Sequence, residues 1–335
     1  MAKILVTGYG GFLGAAVARQ LLRAGYEVRG LARANYPRLA SLGVECLEGD
    51  VTDRAVVLQA VQGCAGVVHT AAKAGVWGAW QDYYRVNTLA TSHLLEAAHR
   101  HGVRAFVHTS SPSVTFAGEH QSGVDESAPY PKKWLCFYPH TKALAEQAVL
   151  SAAKIGQVRT CALRPHLIWG EHDPHLFPRV IARAKQGKLR RVGSGKNLID
   201  VVHVESAAGA HVQAINRLLD DDPRLNGQAL FLTDGQPVEC WEWISKILST
   251  AGVPVPTRSI SYSAAYGIGA ILEAIYWGLK RKQEPPMTRF VAAQLALDHY
   301  FNIDRARNLL DYQPERDVEA EFEKCRPWLQ RLATA

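Results

Sequence analysis

The chain predicts an α/β fold: a doubly wound parallel sheet covered by helices on both faces, with a smaller, mainly helical C-terminal lobe. Three observations predict it. Short apolar runs alternate with helical stretches through the first half of the chain. The first run opens into a cluster of glycines, and polar residues suited to chemistry fall at the ends of later runs.

Lys3–Thr7 is the first apolar run and ends at Gly8. Helical spacing follows over Ala15–Arg23, closed by Gly25 in the manner of a C-terminal glycine. Further strands are predicted at Glu27–Leu31, Val44–Glu48, Gly66–Thr70, Ala105–Thr109 and Thr160–Leu163. Helices are predicted between them at Arg54–Val61, Thr88–His101 and Lys142–Ala153. Beyond residue 166 the rhythm loosens at Pro174 and Pro178; Phe231 marks a strand returning to the sheet, and from Trp241 the chain reads as mainly helical.

At 335 residues the chain can bury a large core. Its 47% hydrophobic and 21% charged residues are those of an ordinary soluble globular protein. Cys46, Cys64, Cys136, Cys161, Cys240 and Cys325 are scattered without a Cys-x-x-Cys pair, which argues for free thiols and against a metal site. The start Met-Ala-Lys runs straight into a strand with no basic leader, so a cytoplasmic location is expected. The net charge of +7 is spread along the chain and not interleaved with aromatics, which argues against nucleic acid. Ser263–Leu279 is almost wholly apolar, interrupted by Glu273 and followed by Lys280-Arg281-Lys282. It is too short and too charged for a transmembrane span. A core or substrate-tunnel helix is the favoured reading, and a peripheral membrane contact through 263–282 is the other.

Gly8-Tyr9-Gly10-Gly11-Phe12-Leu13-Gly14 follows a strand and opens a helix, the context in which such a loop binds a dinucleotide. Gly8 permits the turn, Gly11 lets a pyrophosphate approach the helix N-terminus, and Gly14 lets the helix pack on the sheet. Residues 1–165, with return segments at about 196–233, then form a dinucleotide-binding domain; 166–195 and 234–335 form a substrate-binding lobe. The second strand ends in Leu31-Ala32-Arg33, with no carboxylate for a ribose and an arginine in reach of a 2′-phosphate. NADP(H) is favoured on that ground and NAD(H) stays open. Asp50 and Val51, after the third strand, suit an adenine edge.

Tyr138-Pro-His-Thr-Lys142 is the candidate catalytic pair, since an i, i+4 relation puts phenol and ammonium on one helix face. Lys142 is expected to lower the Tyr138 pKa. Tyr276 and Lys280 repeat the spacing but follow no polar strand end, so they are assigned to packing. Ser111, at the end of Thr109-Ser110-Ser111, is placed to hold a substrate oxygen while Tyr138 moves the proton.

Taken together, the glycine loop, Asp50-Val51, Asn87, Thr109-Ser110-Ser111, Tyr138-x-x-x-Lys142 and Arg164-Pro165 resemble the extended short-chain dehydrogenases/reductases, over essentially the whole chain. The resemblance implies a Rossmann fold, catalytic roles for Ser111, Tyr138 and Lys142, and cofactor contacts at Ala71, Asn87, Pro165 and His166. Within that superfamily the chain is most similar to the 3β-hydroxysteroid dehydrogenase group, and two branches fit. Lys73-Ala-Gly-Val-Trp-Gly78 and Glu284-Pro-Pro-Met-Thr-Arg-Phe290 look like the 2-alkyl-3-oxoalkanoate reductases of bacterial olefin synthesis. Thr109–Phe116, Arg164-Pro-His166 and Gly195–Asp200 also resemble sterol-4α-carboxylate 3-dehydrogenases. Both imply a ketone or hydroxyl β to a carboxylate on a large hydrophobe, that is, a hydrophobic carboxylic acid or a sterol-like substrate. Trp77, Trp80, Tyr83 and Tyr84 are expected to wall its apolar part, with Lys73 or His140 at the carboxylate. Analogy with the family also implies a homodimer. A nucleotide-sugar epimerase or dehydratase would share the fold, but the dehydratases' Thr-Asp-Glu is replaced here by Thr109-Ser110-Ser111. A non-catalytic NADP-binding sensor is the remaining reading; such proteins typically lose the Tyr/Lys pair, which this chain keeps.

Overall fold

A computed structural model describes residues 1–156, 158–314 and 317–334. In chain order the principal strands are β1 (Lys3–Thr7), β2 (Glu27–Ala32), β3 (Glu45–Glu48), β4 (Gly66–His69), β5 (Ala105–Thr109), β6 (Gln121–Val124), β7 (Arg159–Pro165), β8 (Leu198–Ile199), β9 (Gln228–Leu232), β10 (Val238–Glu239) and β11 (His299–Phe301). The principal helices are α1 (Phe12–Arg23), α2 (Arg54–Val61), α3 (Ala90–Arg100), α4 (Phe137–Lys154), α5 (Leu176–Lys185), α6 (Val204–Leu219), α7 (Cys240–Ala251), α8 (Tyr262–Gly278), α9 (Arg289–Ala296), α10 (Asp304–Leu310) and α11 (Val318–Thr334).

Seven strands form one sheet in the order β9-β7-β5-β4-β1-β2-β3, with every neighbouring pair parallel. Ile4, Leu5, Val6, Val67, Val68, Phe106 and Val107 are fully buried, because both faces of the sheet are covered. On one face α1 and α6 bring Ala16, Val17 and Leu21 against the sheet with Ala207, Ala210 and Ile215. On the other, α2, α3 and α4 bring Val57, Leu94 and Val149. The chain winds outward from β1 in both directions, through β2 on one side and β4 on the other. A crevice therefore opens above the C-terminal ends of β1 and β4, the place where doubly wound sheets bind ligands.

The predicted strands β1–β5 and β7 all form, with ends no more than two residues from those expected, and Phe231 lies in the returning strand β9. Several features differ from expectation; α4, for one, begins at Phe137, five residues before the helix predicted from Lys142. First, α1 begins at Phe12, three residues early, because Gly11 already takes the extended conformation of an N-cap. Second, a small four-stranded sheet, β10-β8-β11-β6, joins segments distant in sequence, His299 to Gln121 among them, through strands of two to four residues that leave no periodicity to read. Third, Phe301, Ile303, Leu310 and Tyr312, in the segment expected to form the lobe, pack into the core of the main sheet. The Tyr312 hydroxyl fixes it there by donating to the Thr233 carbonyl at 3.0 Å.

The lobe has its own aromatic core. Trp169 and Trp243 rings lie 5.3 Å apart, and Phe322 lies 5.2 Å from Trp243, joining α7 to α11. Helix α8 departs from the favoured expectation of a core helix. It buries only Ala265, Gly269 and Glu273, whose carboxylate takes the Arg289 guanidinium at 2.7 Å and the Arg289 N–H at 2.7 Å. Ile268, Ile271, Ile275 and Trp277 are exposed. Among the described residues no helix is long and apolar enough to cross a membrane.

Candidate active site

The crevice is a cavity of about 1280 Å³ that runs from the glycine loop, past Ser111 and Tyr138, to Phe290 and His299 of the lobe. At one end Gly8 turns the chain with φ +69°, and a Cβ there would lie 2.9 Å from the Ala71 backbone. A Cβ on Gly14 would lie 2.2 Å from the Gly8 carbonyl oxygen, so both glycines are needed for the loop to close. Gly11, Phe12 and Leu13 line the cavity at the start of α1, which has no side-chain cap among the described residues. Unsatisfied helix N–H groups beside a bare glycine fit the diphosphate of a dinucleotide. Gly10 does not itself line the cavity: its missing side chain makes room for the ring of Tyr36, which does, and which a Cβ would strike at 2.0 Å.

Arg33, Asp50 and Val51 line the same end. The Asp50 carboxylate accepts the Thr52 N–H at 2.8 Å, which, with the charges of Arg33 and Arg85, holds its pKa below the usual range. Arg85 also lines the cavity and was not singled out from sequence. Asn87 is fully buried beneath the cavity and does not line it. Its Oδ1 accepts the Lys73 N–H at 2.8 Å; its Nδ2 donates to the Lys73 carbonyl and to Thr141 Oγ1, each at 3.1 Å. It thus pins the loop after β4 to the first turns of α4.

Those first turns carry Tyr138 and Lys142. The Ser111 hydroxyl, just after β5 and 2.8 Å from Ser113 Oγ, lines the cavity together with Tyr138 and works to lower the phenol's pKa. Lys142 is buried, and its Nζ donates to the Thr109 carbonyl at 2.6 Å and to His108 Nε2 at 3.2 Å. Burial brings its pKa down to about 7, against the pull of the Glu146 carboxylate one turn on. The Tyr138 pKa is raised by burial and only partly relieved by Ser111, which is opposite to the lowering expected from Lys142. The ammonium is instead held by acceptors of β5, the Thr109 carbonyl and His108 Nε2. Glu146 is itself taken by Arg164 at 2.6 and 3.0 Å and by the Tyr130 hydroxyl at 2.7 Å.

Pro165 and His166 line the cavity at the end of β7. His166 Nε2 lies 2.6 Å from His299 Nδ1, and His299 Nε2 lies 2.8 Å from the Gln294 carbonyl. A carbonyl only accepts, so His299 carries its proton on Nε2, His166 donates from Nε2, and His166 Nδ1 is left with a lone pair. Burial holds both rings neutral. His299 and Gln294 also line the cavity. Sequence reasoning missed them, since no spacing links position 299 to 166.

Lys73 lines the cavity, its Nζ 3.7 Å from the Asp82 carboxylate. Trp77, Trp80 and His140 do not line it. Trp77 packs 4.7 Å from Trp277 and donates Nε1–H to the Arg281 carbonyl at 3.0 Å. Trp80 lies between Tyr84 and His140, and His140 stacks on Trp134 at 5.2 Å with its pKa lowered by burial. These aromatics tie the loop after β4 to α8 and α4. The apolar wall comes instead from Val76, Phe116 and Phe290. Tyr276 packs against Trp77, as expected, whereas Lys280 is exposed and does not share the packing role assigned to the pair. Chemically, the site brings the hydroxyls of Ser111 and Tyr138 and the Lys142 amine into one cavity, groups able to polarise a carbonyl and carry a proton.

The family model of the 3-beta hydroxysteroid dehydrogenase/isomerase family matches residues 5–261. A 2-alkyl-3-oxoalkanoate reductase of Shewanella oneidensis is 42% identical over 332 residues, covering 97% of this chain and 86% of its own. A decarboxylating sterol-4-alpha-carboxylate 3-dehydrogenase of Mus musculus is 32% identical, covering 96% and 89%. Among solved structures, MoeE5 in complex with UDP-glucuronic acid and NAD is similar with a TM-score of 0.72 at 25% identity, covering 98% and 99%.

Proposed function

The chain belongs to the 3-beta hydroxysteroid dehydrogenase/isomerase family of oxidoreductases acting on hydroxyl and keto groups, and we propose that it interconverts a 2-alkyl-3-oxoalkanoate and its 3-hydroxy acid with NADP(H). One observation carries the reading: Ser111, Tyr138 and Lys142 meet at the strand ends, between a glycine loop fitted to a diphosphate and an apolar wall. The likeness at 42% identity supports the substrate class. Arg33 at the end of β2, with no carboxylate beside it in Leu31-Ala32-Arg33, supports a 2′-phosphate and so NADP(H) over NAD(H).

When bound, the nicotinamide supplies a hydride to the ketone or takes one from the alcohol. The chain's own residues handle the oxygen. Ser111 donates to it and fixes its position; Tyr138, kept protonated by burial, delivers its proton as negative charge develops. Lys142, held on β5 by the Thr109 carbonyl and His108, keeps one N–H for a ligand in the cavity. In the oxidising direction the same proton path yields a β-keto acid, which is able to lose CO2.

Access for so hydrophobic a substrate points to α8. Its one acid, Glu273, faces inward to Arg289, so the exposed face with Ile268, Ile271 and Ile275 is uncharged, and exposed Lys280, Arg281 and Lys282 follow. That pattern fits an anionic membrane surface. Binding to phosphatidylglycerol vesicles should drop in Ile271→Glu, and an unchanged partition would contradict this docking.

The reaction is tested by following NADPH consumption with a 2-alkyl-3-oxo acid, beside NADP+ reduction with a 3β-hydroxysteroid. Turnover of the oxo acid is expected to dominate. Preference for the steroid would move the substrate to the other branch, and no turnover of either would overturn the proposal.

A further inference from the structure

We propose that His108 is a positioning residue for Lys142: its Nε2 accepts a hydrogen bond from the ammonium, aiming Nζ at the end of β5 and keeping it charged. The inference rests on the dehydrogenase reading of this site and concerns a residue outside the Ser111–Tyr138–Lys142 group.

The geometry begins with the strand. β5 reads Ala-Phe-Val-His-Thr and is buried through His108, a position where an apolar residue is the ordinary choice. Successive residues point to opposite faces of a sheet. Phe106 packs with Val149 and Ala152 of α4, so His108 faces α4 as well, and Lys142 Nζ reaches its Nε2 at 3.2 Å. Thr109 points the other way, to His211 Nε2 at 2.8 Å, while its carbonyl takes Nζ at 2.6 Å. An ammonium has three protons to place. Two go to β5, which leaves one for a ligand in the cavity.

An imidazole accepts from an ammonium only when it is neutral and bare at the accepting nitrogen. His108 is fully buried, and burial with the nearby Lys142 charge holds it neutral. The proton then sits on Nδ1, which has no partner among the described residues. The neighbouring His69 ring, 5.3 Å away, cannot stand in for it. Its Nδ1 and Nε2 are taken by Thr7 at 2.7 Å and Thr91 at 3.0 Å. Glu146 does not replace it either, being engaged by Arg164 and Tyr130. His108 is thus the side chain that hydrogen-bonds the Lys142 ammonium, at a depth where the charge is otherwise costly.

Two measurements test this. Nitrogen-15 NMR of the wild-type protein at neutral pH should show His108 as the Nδ1–H tautomer with a bare Nε2; an Nε2–H tautomer would overturn the proposal without reference to activity. In the pH profile of kcat/KM for the 3-hydroxy acid, His108→Leu removes an acceptor that favours the charged amine. The limb that reports loss of the ammonium should therefore move to lower pH by about one unit, which is a tenfold loss on its alkaline side. His108→Gln, which restores an acceptor near the Nε2 position, should return it towards wild type. A His108→Leu profile superimposed on wild type, with only the melting temperature lowered, would make His108 merely structural. If His108→Leu does not fold, the tautomer and the His108→Gln profile decide. Wild-type protein inactive on every hydroxy and keto acid would instead refute the dehydrogenase reading, and the tautomer would still report on His108.

Discussion

Replacing Glu146 with glutamine tests how the catalytic helix is anchored. Glu146 is fully buried one turn after Lys142, and Arg164 immediately precedes the cavity residues Pro165 and His166. The carboxylate takes two guanidinium bonds and the Tyr130 hydroxyl, so Glu146→Gln strands a buried guanidinium without its counter-charge. Breaking a buried pair from one side costs about 4 kcal/mol. With an unfolding entropy of about 2 cal/mol/K per residue, a chain of 335 residues should melt about 6 °C lower. The double variant Glu146→Gln/Arg164→Met removes the stranded charge and should recover part of the loss. Burial alone would raise the Glu146 carboxyl, but Arg164 holds it below the ordinary value. The pair's contribution is therefore full above the unfolded carboxyl's pKa and is lost as pH falls through the lower folded one. Urea and thermal unfolding of the three proteins at pH 7 decide the matter. A single variant within about 1 kcal/mol of wild type, or a double variant no better than the single, would refute the reasoning.

Arg33→Ala should cut kcat/KM with NADPH by about tenfold or more while leaving NADH nearly unchanged; equal losses with both cofactors would remove Arg33 from the 2′-phosphate. Acid should destabilise the fold early. Burial lowers the pKa of His69 to about 3, of His211 and His299 to about 4, and of His108 and His166 well below 6.5. The unfolded chain then takes up these protons first, so stability is fully present above about pH 6.5 and falls below it by up to about 1.4 kcal/mol per histidine per pH unit. A urea midpoint that stays flat between pH 7 and pH 5 would contradict this.

The central sheet was legible because parallel strands buried on both faces must be apolar, and the glycine loop because its turn tolerates few other residues. Ser111, Tyr138 and Lys142 were legible through order along the sheet, since Tyr276 and Lys280 share the spacing alone. What escaped was set by contacts distant in sequence. His299 reaches His166 across 133 positions, and the small sheet rests on strands of two to four residues. Trp77 and Trp80 were expected in the cavity because large aromatics often line apolar sites; they pack on aromatic rings of α8 and α4 instead. The sign of the Tyr138 shift was missed for a related reason. Helical spacing places Lys142 on the same face, but it does not reveal the acceptors of β5 that hold the ammonium.

The central claim is that Tyr138 carries the proton in an oxidoreductase reaction at the strand ends, and Tyr138→Phe tests it most directly. The substitution removes one hydroxyl and leaves the ring, the Ser111 position and the glycine loop in place. Steady-state NADPH consumption with a 2-alkyl-3-oxo acid should fall by about a thousandfold, while NADPH binding measured by fluorescence stays within about twofold of wild type. A variant that keeps turnover within about tenfold of wild type would contradict the account.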